Sequence, residues 1–243
     1  MQAVLALDTS TDVCSVALEH GGRVHFRHQL EARAHNRLLL PMIEEVLAEA
    51  GLLPSDLDAL VFGRGPGSFT GLRIAAAVTQ ALAWAHDVPV LGVSSLEVLA
   101  AEALQRVPAA TGVITLIDAR MGECYWNVFA VTSAAPEALG EDGLDAPTAI
   151  SVQLEARCAA QAGMWLLVGA ELLPESLRPA WQGCELIAMD AVMPNARTLL
   201  TLATPRLRVG EGRPASEAVP VYLRDASRWR QLDDPSPDRR VSE

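Results

Sequence analysis

No two of the four cysteines stand in a CxxC pair; they lie at positions 14, 124, 158 and 184. That spacing excludes the common zinc frameworks and leaves a reducing, cytoplasmic setting with free thiols as the economical expectation. The histidines, at 20, 25, 28, 35 and 86, include no pair four apart, so no helix face offers two imidazoles to a metal. His25 and His28 fall on opposite faces of an expected strand. No nucleophile triad is recognisable: Gly67 directly precedes Ser68, so the loop there is no G-x-S-x-G elbow. Cys14, mid-strand, reads as a small core residue. Apolar runs of membrane-spanning length are missing, and the opening MQAVLALDTSTD lacks a basic leader and reads as a strand. Positive charge is scarce, with 19 Lys and Arg against 30 Asp and Glu and a net charge of −11. A tight, autonomous nucleic-acid binder needs a field of cations, so direct tRNA or DNA binding is disfavoured, and Arg224, Arg228 and Arg230 read as parts of a solvated tail. Aromatics are only 5% of the chain, yet half of its residues are hydrophobic. The core is therefore aliphatic, built of small side chains in close packing.

What is present is a regular alternation of elements. Residues 3–9, 13–19 and 23–30 predict three antiparallel strands, the last two joined by a Gly21-Gly22 hairpin turn. Leu39, Met42, Ile43, Val46, Leu47 and Ala50 follow helical spacing. Gly51 suits the C′ position of that helix, and Pro41 marks a start or a kink. A strand at 58–62, a helix at about 71–86, a strand at 88–93 and a helix at 95–106 complete a βββαβαβα order, the layout of a ribonuclease H-like unit. A second cycle begins at 112–118 and 123–131. An offset of 110 aligns Asp8 with Asp118 and Cys14 with Cys124, which suggests a duplicated domain. After a Pro/Gly/Asp-rich connector at 136–147 come a helix (about 151–162), strands near 165–169 and 184–188, a helix near 195–203, and an extended stretch at 217–224. The expected fold class is α/β: two ribonuclease H-like (actin-like ATPase) domains, mixed sheets flanked by helices. The expected division is 1–108, a shorter 109–225, and a flexible tail at 226–243.

Two segments could carry chemistry. Asp8, Thr9, Ser10 and Thr11 close the first strand, where an acid followed by hydroxyls can hold a phosphate or a magnesium-bound water; the same residues also make an ordinary Asx turn. Residues 65–71, GPGSFTG, precede a helix without the Lys of a Walker loop. Ser68 or Thr70 can cap that helix, whose N-terminus, with Arg73 nearby, could receive an anion; a capped structural loop explains the same pattern. The helix itself is unusual, because eleven of the fifteen residues at 71–85 are apolar, leaving a narrow polar face of Arg73 and Gln80 beside Ala77 and Trp84. Ala75, Ala76, Ala81 and Ala83 would admit a second helix, and Leu38 and Leu40 lie off the main stripe of the preceding helix. A partner surface on Leu38, Leu39, Met42, Leu72, Ala76, Thr79 and Ala83 is expected; burial under the second domain is the competing explanation.

The chain resembles the TsaB (YeaZ) family. The resemblance is carried by LALDTSTDVCSVAL at 5–18, the H-x5-P-M-I segment at 35–43, GRGPGSFTGLRIA at 63–75, PVLGVSSL at 89–96, IDARMGECYW at 117–126 and PVYLR at 220–224, in that order over almost the whole chain. It implies two ribonuclease H-like domains of the actin-like, sugar-kinase-like ATPase superfamily. It further implies a non-catalytic, cytoplasmic partner of TsaD, the subunit that transfers a threonylcarbamoyl group to the adenosine next to the tRNA anticodon, with the ATPase TsaE completing the assembly. TsaD carries a metal-binding H-x-x-x-H. Ser94-Ser95-Leu96-Glu97 stands in that region here without a histidine, so neither catalytic residues, nor a metal, nor a cofactor is implied. Asp8, Thr9, Ser68 and Thr70 would be the vestige of a phosphate site. The resemblance implies tRNA contact only through the complex and no membrane. Self-association as a homodimer on the same helix surface is expected when the partner is absent, since an unpartnered apolar patch favours a two-fold contact. The competing function is an actin-like ATPase or small-molecule kinase, which would need a second phosphate loop and an adenosine pocket in the C-terminal half.

Overall fold

The computed structural model describes residues 3–132, 135–158, 162–180 and 182–224. Strand β1 (Val4–Asp8) is buried at every position, as a strand covered on both faces must be. It pairs antiparallel with β2 (Val13–His20) and parallel with β4 (Ala59–Gly65). β3 (Arg23–Leu30) returns from β2 through Gly21 and Gly22, both left-handed at φ 59° and 76°, as a two-residue hairpin turn that follows the twist of the strands requires. With β5 (Val90–Ser94) outermost, the order is β3-β2-β1-β4-β5. Helix α1 (His35–Ala50) buries its predicted stripe and runs on through Pro41. It ends where Gly51 turns left-handed, with its N–H on Ala48 O and that of Leu52 on Leu47 O, a C-terminal pattern suited to glycine. Helices α2 (Phe69–His86) and α3 (Ser95–Arg106) follow.

The second sheet repeats the first. Its strands are β6 (Gly112–Asp118), β7 (Cys124–Thr132), β8 (Ala135–Ala138), β10 (Gly163–Val168) and β11 (Cys184–Met189), ordered β11-β10-β6-β7-β8. With β6 in the role of β1, this is the same connectivity read from the opposite edge. The connector expected to be irregular in fact contains β8 and the short β9 (Gly143–Asp145), which pairs with β7. The offset of 110 holds along β6 and fails in the turn. Asp8 faces Ser15, whereas Asp118 faces Cys124, so the second hairpin is one residue shorter. Cross-strand partners share a sheet face; Cys124 therefore lies on the side of Asp118, and Cys14 on the side away from Asp8.

Packing crosses residue 109 in both directions. Helix α4 (Pro147–Cys158) covers one face of the second sheet, where Ile150 and Leu154 meet Trp126 and Trp165. The other face receives Leu96, Leu99, Ala100 and Leu104 of α3. The last helix, α5 (Ala196–Arg208), packs back on the first sheet, its Leu199, Leu200, Ala203 and Leu207 against Val4, Ala6, Val61 and Val93. Ser15 Oγ accepts from the Ala196 N–H at 2.9 Å and fixes where that helix starts. The opposite face of the first sheet belongs to α1 and α2. Among the described residues no helix is long and apolar enough to cross a membrane. The expected tail at 226–243, with Arg228 and Arg230, lies outside the described residues.

Candidate functional site

The ends of β1 and β4 bring the two sequence motifs together. Asp8 is fully buried, and its Oδ1 accepts from the Ser10 N–H at 3.0 Å and from the Ser10 hydroxyl at 2.8 Å. Its Oδ2 has no hydrogen-bond partner and lies against Gly63, where any Cβ would collide with it. Burial pushes this carboxyl up from an ordinary 3.8 to about 6, the two Ser10 bonds opposing the rise. The Thr9 hydroxyl donates to Gly71 O at 2.7 Å, and the Ser68 N–H donates to Ser10 O at 2.7 Å. Ser68 Oγ caps α2 by accepting from the Gly71 N–H at 3.3 Å. A Cβ on Gly67 would strike Ser10 O, and one on Gly71 would strike Thr9 O. Asp8, Thr9 and Ser68 thus form one clasp, while Thr70 stands exposed on the first turn of α2 and takes no part in it.

The clasp is closed on the chain's own groups. The backbone donors of Ser68 and Gly71 are turned inward onto the protein's own oxygens, and the glycines serve contact with the β1–β2 turn rather than approach to a ligand. Beside the clasp a cleft of about 690 Å³ opens between the sheets. Its lining includes Asp12, Asp118 and Glu171, carboxylates that repel an anion. Of the two arginines in the lining, Arg120 folds onto Asp118 at 3.0 Å and Arg224 pairs with Glu123 at 2.9 Å.

The expected solvated Arg224 is a correction. Its side chain is only 7% exposed; it donates to Ala119 O at 2.9 Å and touches Met121 Sδ at 3.2 Å. The 118–123 turn it grips is sharp, with Arg120 and Met121 left-handed at φ 64° and 59° and the Arg120 N–H closing on Asp118 Oδ1 at 2.7 Å. Sequence reasoning also missed Phe69 and Tyr222. Their rings lie 5.5 Å apart, with the Arg73 guanidinium 3.8 Å over Phe69 and its Nε donating to Tyr222 Oη at 2.9 Å. The available signal was an aromatic at the start of α2, among Gly, Ser and Thr, and another in the extended stretch at 217–224.

The residues expected to form a partner surface need a second correction. Leu38, Leu39, Met42, Leu72, Ala76, Thr79 and Ala83 are all buried within the single chain. Two causes act together. The inner faces of α1 and α2 pack on the first sheet, and the 3-10 turn Ala215–Glu217 covers a flank of α2, where Gln80 Nε2 donates to Ala215 O at 3.3 Å. The exposed line along α2 is instead Thr70, Arg73, Ala77, Ala81, Trp84 and Ala85. Leu40 and Pro41 of α1 are exposed as well, with Trp84 and Leu40 the large ones at 71% and 52%. The sequence pattern had marked Leu40, and the outward side of α2 sits one step around the helix from where it was placed.

The family model described as TsaD, tRNA N6-adenosine threonylcarbamoyltransferase, matches residues 27–173. The tRNA threonylcarbamoyladenosine biosynthesis protein TsaB of Escherichia coli (strain K12) is 34% identical over 236 residues, covering 94% of this chain and 97% of its own length. The TsaB protein of Haemophilus influenzae is 35% identical over 94% of this chain and 96% of its own. Among solved structures, YeaZ from Pseudomonas aeruginosa superposes with a TM-score of 0.78 at 39% identity, covering 92% of this chain and all of that one. With relatives 34% and 35% identical over 94% of its length, the chain belongs to the TsaB family.

Proposed function

We propose that this protein is a non-catalytic subunit that pairs with TsaD in forming threonylcarbamoyladenosine next to the anticodon of tRNA. The observation that carries the reading is the end-to-end match to the Escherichia coli biosynthesis protein, at 34% identity over 94% of this chain. The clasp supports it from the chemistry. A loop whose donors are spent on its own chain is a support rather than a phosphate cradle, and Asp8, Thr9, Ser68 and Thr70 are best taken as the remnant of one. TsaE is the ATPase of the assembly in this proposal, and tRNA is reached through the complex, in keeping with a net charge of −11.

The exposed line of α2, with Leu40 and Pro41 of α1, is the surface proposed for TsaD. Small residues along a helix let another helix approach closely, and Trp84 is the kind of large side chain that anchors an interface. The same face mediates self-association when TsaD is absent. The test is reconstitution of TsaD, TsaE, tRNA and ATP with and without this chain, reading the modified nucleoside by mass spectrometry. Product should require the chain, and Ala77→Arg should abolish both TsaD capture and product. Equal product without the chain overturns the reading, and micromolar ATP affinity of the isolated chain would favour an ATPase instead.

A further inference from the structure

The segment 218–224 runs across both halves of the molecule within seven residues. Ala218 is buried in the core under α1 and α2. The Val221 N–H donates to Arg64 O at 2.8 Å, at the end of β4. Gly65 leaves room for this crossing, since a Cβ there would meet Leu72 and approach Val221 O at 3.3 Å. Tyr222 is held by Arg73 and Phe69 of the first α2 turn. Two residues on, Arg224 grips the other sheet's hairpin through Ala119 O and Glu123. Arg224 and Phe69 both line the cleft between the sheets.

We propose that this segment is a latch: it ties the loop at 65–71 to the hairpin at 118–124 and so sets the width of the cleft between the two sheets. The reach of the chain couples its two ends. An extended residue spans about 3.3–3.6 Å, and only Leu223 separates the two anchors, so neither can shift by several ångströms while the other stays. The anchors themselves are firm. A charge-assisted pair with little exposure resists opening more than a surface one, and the guanidinium fork also holds a carbonyl, which a lysine could not do with the same geometry. The exposed Phe69–Arg73–Tyr222 contact and the shielded Arg224 contact therefore act as one mechanical unit. Displacing the first loosens the second.

The test uses the full chain. Spin labels at Ala32→Cys and Glu171→Cys, with Cys158→Ser and Cys184→Ser, report the distance across the cleft by double electron–electron resonance. Hydrogen exchange reports the Ser68 and Glu123 amides, which bond to Ser10 O and Arg120 O. Tyr222→Ala should broaden the distance distribution and speed exchange at Glu123 at least tenfold, although Tyr222 is held by α2 and not by the second sheet. Arg224→Lys, which keeps the charge and is the milder change should Arg224→Ala fail to fold, should broaden it less. An unchanged distribution in folded Tyr222→Ala and Arg224→Lys overturns the latch. So does faster exchange confined to whichever anchor was altered.

Discussion

Replacing Asp8 by Asn exchanges one buried, partnerless oxygen for an amide nitrogen and removes the possibility of charge. In the folded protein the carboxyl titrates at about 6 rather than 3.8, because burial outweighs the two Ser10 hydrogen bonds. A rise of roughly two pH units corresponds to about 3 kcal/mol of differential stability. The sign follows from proton binding. Between these two values the folded state holds more protons than the unfolded one, so stability is fully present below 3.8, falls as pH rises through about 6, and is lost above it. Asn does not titrate. The stability of Asp8→Asn minus that of the native chain should therefore increase by rather more than about 2 kcal/mol between pH 4 and pH 7.5. The constant part of the difference is less favourable, since an unpaired buried amide costs about 1–3 kcal/mol, but that cost does not depend on pH and cancels in the comparison. Urea unfolding of both proteins at a series of pH values gives the quantity directly. A pH-independent difference, or one that grows toward acid, would refute the buried-carboxylate reasoning.

Three further outcomes follow from the packing. Ala76→Arg and Ala83→Arg should each lower unfolding free energy by about 3 kcal/mol or more, through overpacking and an unpaired buried charge, while Ala77→Arg and Ala81→Arg on the exposed line stay within about 0.5 kcal/mol of the parent; equal effects on both pairs, by chemical denaturation, would contradict the burial assigned to α2. Gly71→Ala should cost about 1–3 kcal/mol and accelerate exchange of the Ser68 amide, because its methyl meets Thr9 O; a variant as stable as the parent would mean that the clasp is loose. The Cys14 thiol, pushed up to about 12 by burial and by the Asp8 charge, should resist alkylation at pH 8 in the folded chain and react on unfolding, so that mass spectrometry finding Cys14 modified under native conditions would argue against its burial.

Periodicity made the first half legible. Short strands rich in apolar residues, the Gly21-Gly22 turn and the Gly51 stop are local signals, and each was where local chemistry placed it. Strands β8 and β9 were not legible, because four and three residues containing Pro136 and Gly143 carry too short a pattern to register. The direction in which α2 faces was misread for a different reason. A helix that is apolar nearly all round has no marked polar side, and what covers its flank is Ala215, more than a hundred residues later in the chain. Arg73, exposed as the polar face requires, and the half-buried Gln80 also hold that late segment through Tyr222 and the Ala215 carbonyl. The candidate site followed the same rule. Its members were visible, but whether Ser68 and Gly71 offer their N–H groups to a ligand or to Ser10 and Ser68 is a matter of packing, not of sequence.

Helix α5 sets a timing problem for synthesis. The first sheet is complete in sequence once Ser94 has been made, yet the face formed by Val4, Ala6, Val61 and Val93 waits for Leu199, Leu200 and Ala203. At roughly 5–20 residues per second, the intervening stretch of about a hundred residues takes on the order of ten seconds. For that interval the newly made half presents an aliphatic sheet face covered only at its α3 side by Val98, and contacts of such sequence separation form slowly even afterward. A fragment ending near residue 108 would lack the side chains of α5 that cover this face. Burial of the first strand is thus completed only when the last helix closes over it.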